Sequence, residues 1–357
     1  MKLCSDKRRV FFFEEPVASD GAAGHDVSEV APNLFVVVPR LQPAQNATDC
    51  SRLTLQALCE RYEIEHPIAW FYTPMALEFA RDLPAALTIY DCMDELSAFR
   101  GASPALGRLE RELFARADLV FTGGRSLCEA KRSSHHAVYC FPSSVDVAHY
   151  ARAKTDTPQP ADQAGIPHPR LGFFGVIDER MDLALIEAVA AARPEWHIVM
   201  VGPVVKIDPA ALPRLPNIHY LGQKAYAELP DYLGGWDVAL MPFAQNASTR
   251  FISPTKTLEY LAGGKPVVST PVADVVSPYA ERGLVRVAAG PDAFIRAIDE
   301  TLKEGGLGDK EARVSEFIAG TSWANTWAQM AALMVALMRR VFPGNQQPAM
   351  ETKSRVA

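Results

Sequence analysis

Paired cysteines are missing from this chain of 357 residues. Cys4, Cys50, Cys59, Cys92, Cys128 and Cys140 show no C-x-x-C spacing. That excludes a zinc ribbon and argues against a disulfide framework, so the thiols read as reduced side chains of a cytoplasmic protein. Histidine is scarce as well, with 8 residues. His135-His136 reads as a helix end and His168 as linker, and no metal-ligating constellation emerges. A basic surplus is absent: 36 Lys and Arg against 42 Asp and Glu leave a net charge of −6. Nucleic acid is a poor partner for such a balance. Long hydrophobic runs are absent too. The most apolar stretch, 330–338 (MAALMVALM), is far short of the roughly 20 residues that span a bilayer. The polar start MKLCSDKRR carries no secretory leader pattern. These features predict a soluble chain, at most peripheral on the inner face of a membrane.

What is present is alternation. Short apolar runs and amphipathic stretches follow one another, as in βαβ units built on parallel sheets. In the first half the pattern predicts strands at 10–13, 34–38, 68–72, 87–90, 119–122 and 138–140, with helices at 51–62, 74–81, 105–115 and 125–133. The second half predicts strands at 171–174, 197–201, 218–221, 238–241, 267–269 and 284–287. Its helices fall at 182–192, 226–233, 254–262, 291–303 and 310–319. The length fits two domains. We expect a first domain over 1–146, a proline-rich linker over 147–169, a second domain over 170–321, an apolar helix over 322–342 and a disordered tail over 343–357.

The segment from Ser253 to Thr270, SPTKTLEYLAGGKPVVST, is the most informative. Ser253 can cap a helix that begins at Pro254, and Gly263-Gly264 can end it. A helix start presents free N–H groups and a positive dipole end to an anion. Lys256 adds a full charge, and Glu259 shares its face one turn on. A cation with a carboxylate one turn away suits a nucleoside diphosphate, whose ribose offers hydroxyls to an acceptor.

This segment resembles the nucleotide-sugar motif of GT-B glycosyltransferases of the family-4-like group, S-P-x-K-x-x-E-Y-x-A-x-G-x-P-V-V. The resemblance implies an α/β protein of two Rossmann-like parallel-sheet domains facing a cleft, with a C-terminal helix that crosses back to the first domain. It also implies transfer of a sugar from a nucleotide diphosphate donor to a glycan or lipid-linked glycan acceptor. No cofactor and no divalent metal are implied. Several further stretches resemble family landmarks. LGFFGVIDER180 resembles the G-x-x-x-x-K/R element, in which Gly175 lets the substrate approach and Arg180 grips the diphosphate opposite Lys256; pairing of Arg180 with Asp178, Glu179 or Asp182 is the alternative. Gly202, Asn246, Ser253 and Thr255 join Lys256 and Glu259 as expected donor contacts. Many relatives carry a second glutamate at the position of Phe251, so donor sugar and stereochemistry stay open.

In the first domain TIYDCMDE95 ends a strand with clustered carboxylates, at the sheet edge where ligands bind. Asp91, then Asp94, is the expected base for the acceptor hydroxyl, with helix capping as the competing role. YTP74, ADLVFTGGRS126 and CFPSSVD146 also resemble landmarks, of a subgroup acting on bacterial cell-surface polysaccharides. Some of its members are joined to a nucleotide-sugar mutase, which that resemblance adds as an expected partner. Relatives begin with a strand and helix before the element matching Arg9–Pro16, and this chain starts almost at that element. A nucleotide-sugar epimerase and a non-catalytic nucleotide-sugar-binding partner are the rival readings.

Overall fold

The computed structural model describes residues 2–155 and 158–341. The tail expected over 343–357 and the last residue of the expected terminal helix, Phe342, lie outside the described residues. Strands β1 (Val10–Phe13), β2 (Val17–Ala18), β3 (Gly24–Ala31) and β4 (Leu34–Leu41) form a small sheet. Strands β5 (Ile68–Phe71), β6 (Leu87–Cys92), β7 (Leu119–Thr122) and β8 (Val138–Cys140) form a parallel sheet in that order. The second half holds β9 (Arg170–Phe174), β10 (His197–Val201), β11 (Ile218–Gly222), β12 (Val238–Met241), β13 (Val267–Ser269) and β14 (Arg286–Val287). They run parallel in the order β11-β10-β9-β12-β13-β14, so the topology reverses beside β9. Ligands settle at such a switch point, beyond the carboxyl ends of the strands.

Burial explains why most of these elements were legible. Every residue of β9, β12 and β13 is buried, so these strands read as continuous apolar runs. By contrast β3 was not foreseen. It pairs antiparallel with β4 and presents a largely exposed, polar face, leaving little apolar signal. The expected linker also differs from a loose coil. Val147–Ala151 is helical, and Tyr150, Ala153 and Ile166 are buried in the core of the second domain. Burial of those three apolar side chains outweighs the helix-breaking prolines around them.

Four helices carry the rest of the argument. Helix α1 (Leu106–Arg116) packs behind β6, α2 (Arg125–Lys131) follows β7, α3 (Lys256–Ala262) precedes β13, and α4 (Trp323–Val341) closes the described chain. On α4, Met334 is buried against Leu87, Ile89, Leu119 and Phe121 of the first domain, with Trp327, Met330 and Leu337 packed around it. The helix therefore crosses from the second domain to the first. Trp70 stacks near Trp327 with ring centroids 6.3 Å apart. Each large side chain buried there contributes roughly 1.5–3 kcal/mol of apolar transfer, enough to fix the helix across the domain boundary.

Candidate functional site: a desolvated lysine and a paired arginine at the strand ends

The ends of β9 and β10 come together through glycine. Gly175 has φ +139° and Gly202 has φ +146°, a region that side chains rarely enter. A Cβ on Gly202 would lie 1.9 Å from the Gly175 carbonyl oxygen, and one on Gly175 would lie 2.2 Å from Lys256 Cε. Only glycine lets these two strand ends and the lysine share one spot. Lys256 forms no ion pair among the described residues. Burial lowers its pKa below the usual lysine value, the Glu259 carboxylate opposes that, and the nearby Arg180 charge adds to it. A desolvated, unpaired cation lowers its energy by meeting an anion.

One turn on, Glu259 is half-buried, and burial raises its pKa while Lys256 pulls it back. The Tyr150 hydroxyl is buried without a hydrogen-bond partner and faces this carboxylate. Nothing in the residue pattern had flagged Tyr150; it comes from the segment read as linker. Thr255 stands at the head of α3 beside Glu259.

The start of α3 corrects the sequence reading. The helix begins at Lys256 with Thr255 as its cap residue and no side-chain capping bond. Pro254 and Thr255 instead offer their carbonyls to Thr257 and Leu258, at 3.2 and 3.1 Å. Ser253 is thus displaced from the capping position, because the proline turn precedes the helix rather than opening it. Its Cβ lies 2.8 Å from where a Cβ on Gly124 of the first domain would stand. At the far end Gly264 takes the left-handed conformation, with φ +76°.

Arg180 makes the pairing with Asp178 that was its alternative reading. Its Nε and Nη2 donate to the Asp178 carboxylate at 2.9 and 2.7 Å, so Asp178 fixes the guanidinium plane. Asp94 from the first domain also lies within its electrostatic reach. The Phe99 ring sits 5.6 Å beneath the guanidinium, and the Arg100 amide donates to Glu179 at 3.1 Å. The two domains therefore meet at this loop. Asn246 spends its side chain on the backbone: Nδ2 donates to the Glu179 carbonyl at 3.0 Å and Oδ1 accepts from Ser248 and Thr249. It shapes the loop beside Arg180, with its acceptor oxygen already occupied.

The two carboxylates of the first domain part company. Asp91, 5% exposed, points to the sheet face shared by Trp70, whose Nε1 donates to Oδ2 at 3.0 Å. Its Oδ1 is buried with no partner. Burial pushes its pKa up to about 6 against the Trp70 hydrogen bond. Asp94, in the turn beyond β6, is half-buried; burial raises its pKa and the Arg180 charge opposes this. Neither caps a helix through its side chain. Phe12, Tyr72 and Met93 stand exposed at the carboxyl ends of β1, β5 and β6. Among the described residues no group of three or more His, Cys, Asp and Glu side chains is arranged to hold a metal ion. No helix among them is long and apolar enough to cross a membrane.

Comparison with known proteins places this geometry. Residues 168–304 match the family model described as glycosyl transferases group 1. The match lies almost wholly within the second half of the chain and marks these residues as similar to that family. The matched region contains Gly175, Arg180, Gly202, Lys256 and Glu259. A curated relative from Bacillus subtilis (strain 168), named "Putative teichuronic acid biosynthesis glycosyltransferase TuaH", is 28% identical over 198 residues. That alignment covers 51% of this chain and 50% of the relative, so the chain spans about half the length of the curated relative it matches. Sucrose-phosphate synthase from Thermosynechococcus elongatus superposes with a TM-score of 0.70 at 15% identity, over 95% of this chain and 91% of that one. Anabaena HepE in complex with UDP and glucose gives 0.65 at 15% identity, over 92% and 99%. The trehalose-phosphate synthase of Burkholderia xenovorans gives 0.62 at 13% identity, over 93% of each chain. The chain has the GT-B fold that these glycosyltransferases share.

Proposed function

We propose that this chain transfers a sugar from a nucleoside-diphosphate sugar to a hydroxyl acceptor, in the assembly of a bacterial cell-surface polysaccharide. The observation that carries the reading is Lys256, desolvated and unpaired against the Gly175 backbone with Arg180 beside it. As the bond from the sugar C1 to the diphosphate breaks, negative charge grows on the leaving group. Fixed cations that meet it there favour the transition state. Glu259 accepts from the ribose hydroxyls, with Tyr150 filling the space behind it. These cations supply the charge neutralisation for which other transferases use a divalent ion, and the reaction proceeds without one. The neighbour solved with UDP and glucose supports a uridine diphosphate donor.

On the acceptor side, Asp91 takes the hydroxyl proton as the new bond to C1 forms. A pKa near 6 keeps it ionised at neutral pH while leaving it basic enough to act. Trp70 fixes one oxygen and leaves the other free. Asp94 sits opposite Arg180 and closes the cleft. The exposed Phe12, Tyr72 and Met93 suit an acceptor with an apolar part, such as a lipid-linked glycan at the inner membrane face. The relatives' names support transfer rather than epimerisation. The test is a panel of nucleotide sugars screened for thermal stabilisation, since a ligand of the folded state raises apparent stability. A uridine diphosphate sugar is expected to stabilise most; equal effects of all donors, or none, would remove the basis of the reading.

A further inference from the structure

We propose that α2 is a strut that sets the Asp91–Glu95 turn of the first domain against the donor side of the cleft, with Asp274 and Lys131 as its positioning residues. The inference rests on the transfer reading above and adds residues that the reading does not use.

At the start of the strut stands a carboxylate from the other domain. Asp274, 4% exposed, lies beyond β13. Its Oδ2 accepts from the Arg125 amide at 2.8 Å and its Oδ1 from the Ser126 amide at 2.9 Å. Two orphan donors at a helix start are thus satisfied by a side chain about 150 residues away in sequence. The fit leaves no slack, because a Cβ on Gly124 would stand 2.3 Å from Asp274 Oδ2. Ser253, at the head of the donor segment, touches the same glycine.

The far end of α2, about 10 Å along the axis at 1.5 Å per residue, carries Lys131. Its Nζ, on a residue 7% exposed, lies 2.8 Å from Glu95 Oε2 and 3.0 Å from Glu110 Oε1. Ser97 and Tyr90 donate to the same two carboxylates, at 2.6 and 2.9 Å. Before α2, in the turn after β7, the Gly123 amide donates to the Cys92 carbonyl at 3.2 Å. A Cβ on Gly123 would stand 2.8 Å from the Met93 carbonyl oxygen. The turn that carries Asp94 toward Arg180 is therefore held at Cys92 and Met93 by Gly123, two residues before α2, and at Glu95 by Lys131 of α2. Buried ion pairs contribute little net stability but fix register. Here the register held is that of the acceptor carboxylates relative to the second domain.

Hydrogen exchange over residues 92–99 tests the strut in the intact chain, with UDP calorimetry alongside. Asp274→Asn touches nothing in that turn, yet is expected to speed its exchange by roughly tenfold, as is Lys131→Met. Lys131→Arg is expected to restore protection, since a cation that reaches both carboxylates suffices. Glu95→Gln leaves the Lys131–Glu110 pair intact and loosens the turn even if Lys131→Met does not fold. UDP affinity is expected to stay within about threefold in every variant that folds, because neither positioning residue is among the donor contacts. Faster exchange confined to 123–130 in Asp274→Asn, or no rescue by Lys131→Arg, would overturn the strut. Failure of the wild type to bind UDP would sink the donor reading instead, while the exchange data still decide this one.

Discussion

Replacing Asp91 by Asn removes a charge that the fold holds at a cost. Burial moves the Asp91 pKa from 3.8 to about 6, with the Trp70 hydrogen bond pulling the other way. A carboxylate whose folded pKa is raised binds its proton more tightly in the native state. Its contribution is therefore favourable below about pH 4, fades between about 4 and 6, and leaves the ionised form disfavoured above. At about 1.4 kcal/mol per unit, a shift of about 2 units corresponds to a cost of about 3 kcal/mol at neutral pH. Asparagine keeps the shape and an oxygen for Trp70 but leaves an amide donor to satisfy, which returns about 1 kcal/mol. The variant is thus expected to be more stable than wild type by about 2 kcal/mol at pH 7.5, and level with it or below near pH 4. Paired urea titrations at the two pH values, followed by a probe in the first domain such as Trp70, measure this. The same variant is expected to lose transfer activity by about 100-fold or more, as removal of a general base requires. Equal stability differences at both pH values would refute the buried-charge argument. A fully active Asn variant would refute the assignment of the base.

Two other substitutions follow from the same geometry. Gly175→Ala places a methyl group 2.2 Å from Lys256 Cε at a φ that alanine avoids; UDP affinity is expected to fall at least tenfold by calorimetry, about 1.4 kcal/mol. Trp70→Phe removes the donor to Asp91 Oδ2. A hydrogen bond to the charged form lowers a pKa, so its loss raises the pKa of Asp91 further, and the acid limb of the rate profile is expected to move to higher pH. A limb that stays in place would show that Asp91 does not govern it.

Much of the second domain was legible because its strands are buried on both faces. The strands expected at 238–241 and 267–269 occupy those residues, and the motif around Lys256 and Glu259 sits on one short helix. Local signals sufficed there. The first domain was harder to read. β3 exposes most of its residues and so carries a weak apolar pattern. The orientation of Asp91 follows from strand alternation, which places it on the Trp70 face, whereas Asp94 leaves the strand and turns toward Arg180. Sequence clustering ranks Asp91 first but does not show that the two side chains point to different surroundings. The contacts of Asp274 with α2 and of Tyr150 with Glu259 join residues more than a hundred positions apart. No spacing rule could have paired them: docking of one domain on the other makes the first contact, and the return of Tyr150 into the core of the second domain makes the second.

The central claim is that Lys256 and Glu259 form the nucleoside-diphosphate site. Calorimetric titration of UDP into the wild type, Lys256→Ala and Glu259→Ala tests it most directly. We predict measurable binding by the wild type and a loss of at least about 30-fold in each variant, about 2 kcal/mol for a charge-assisted contact. Affinity equal to the wild type in both variants would contradict the account.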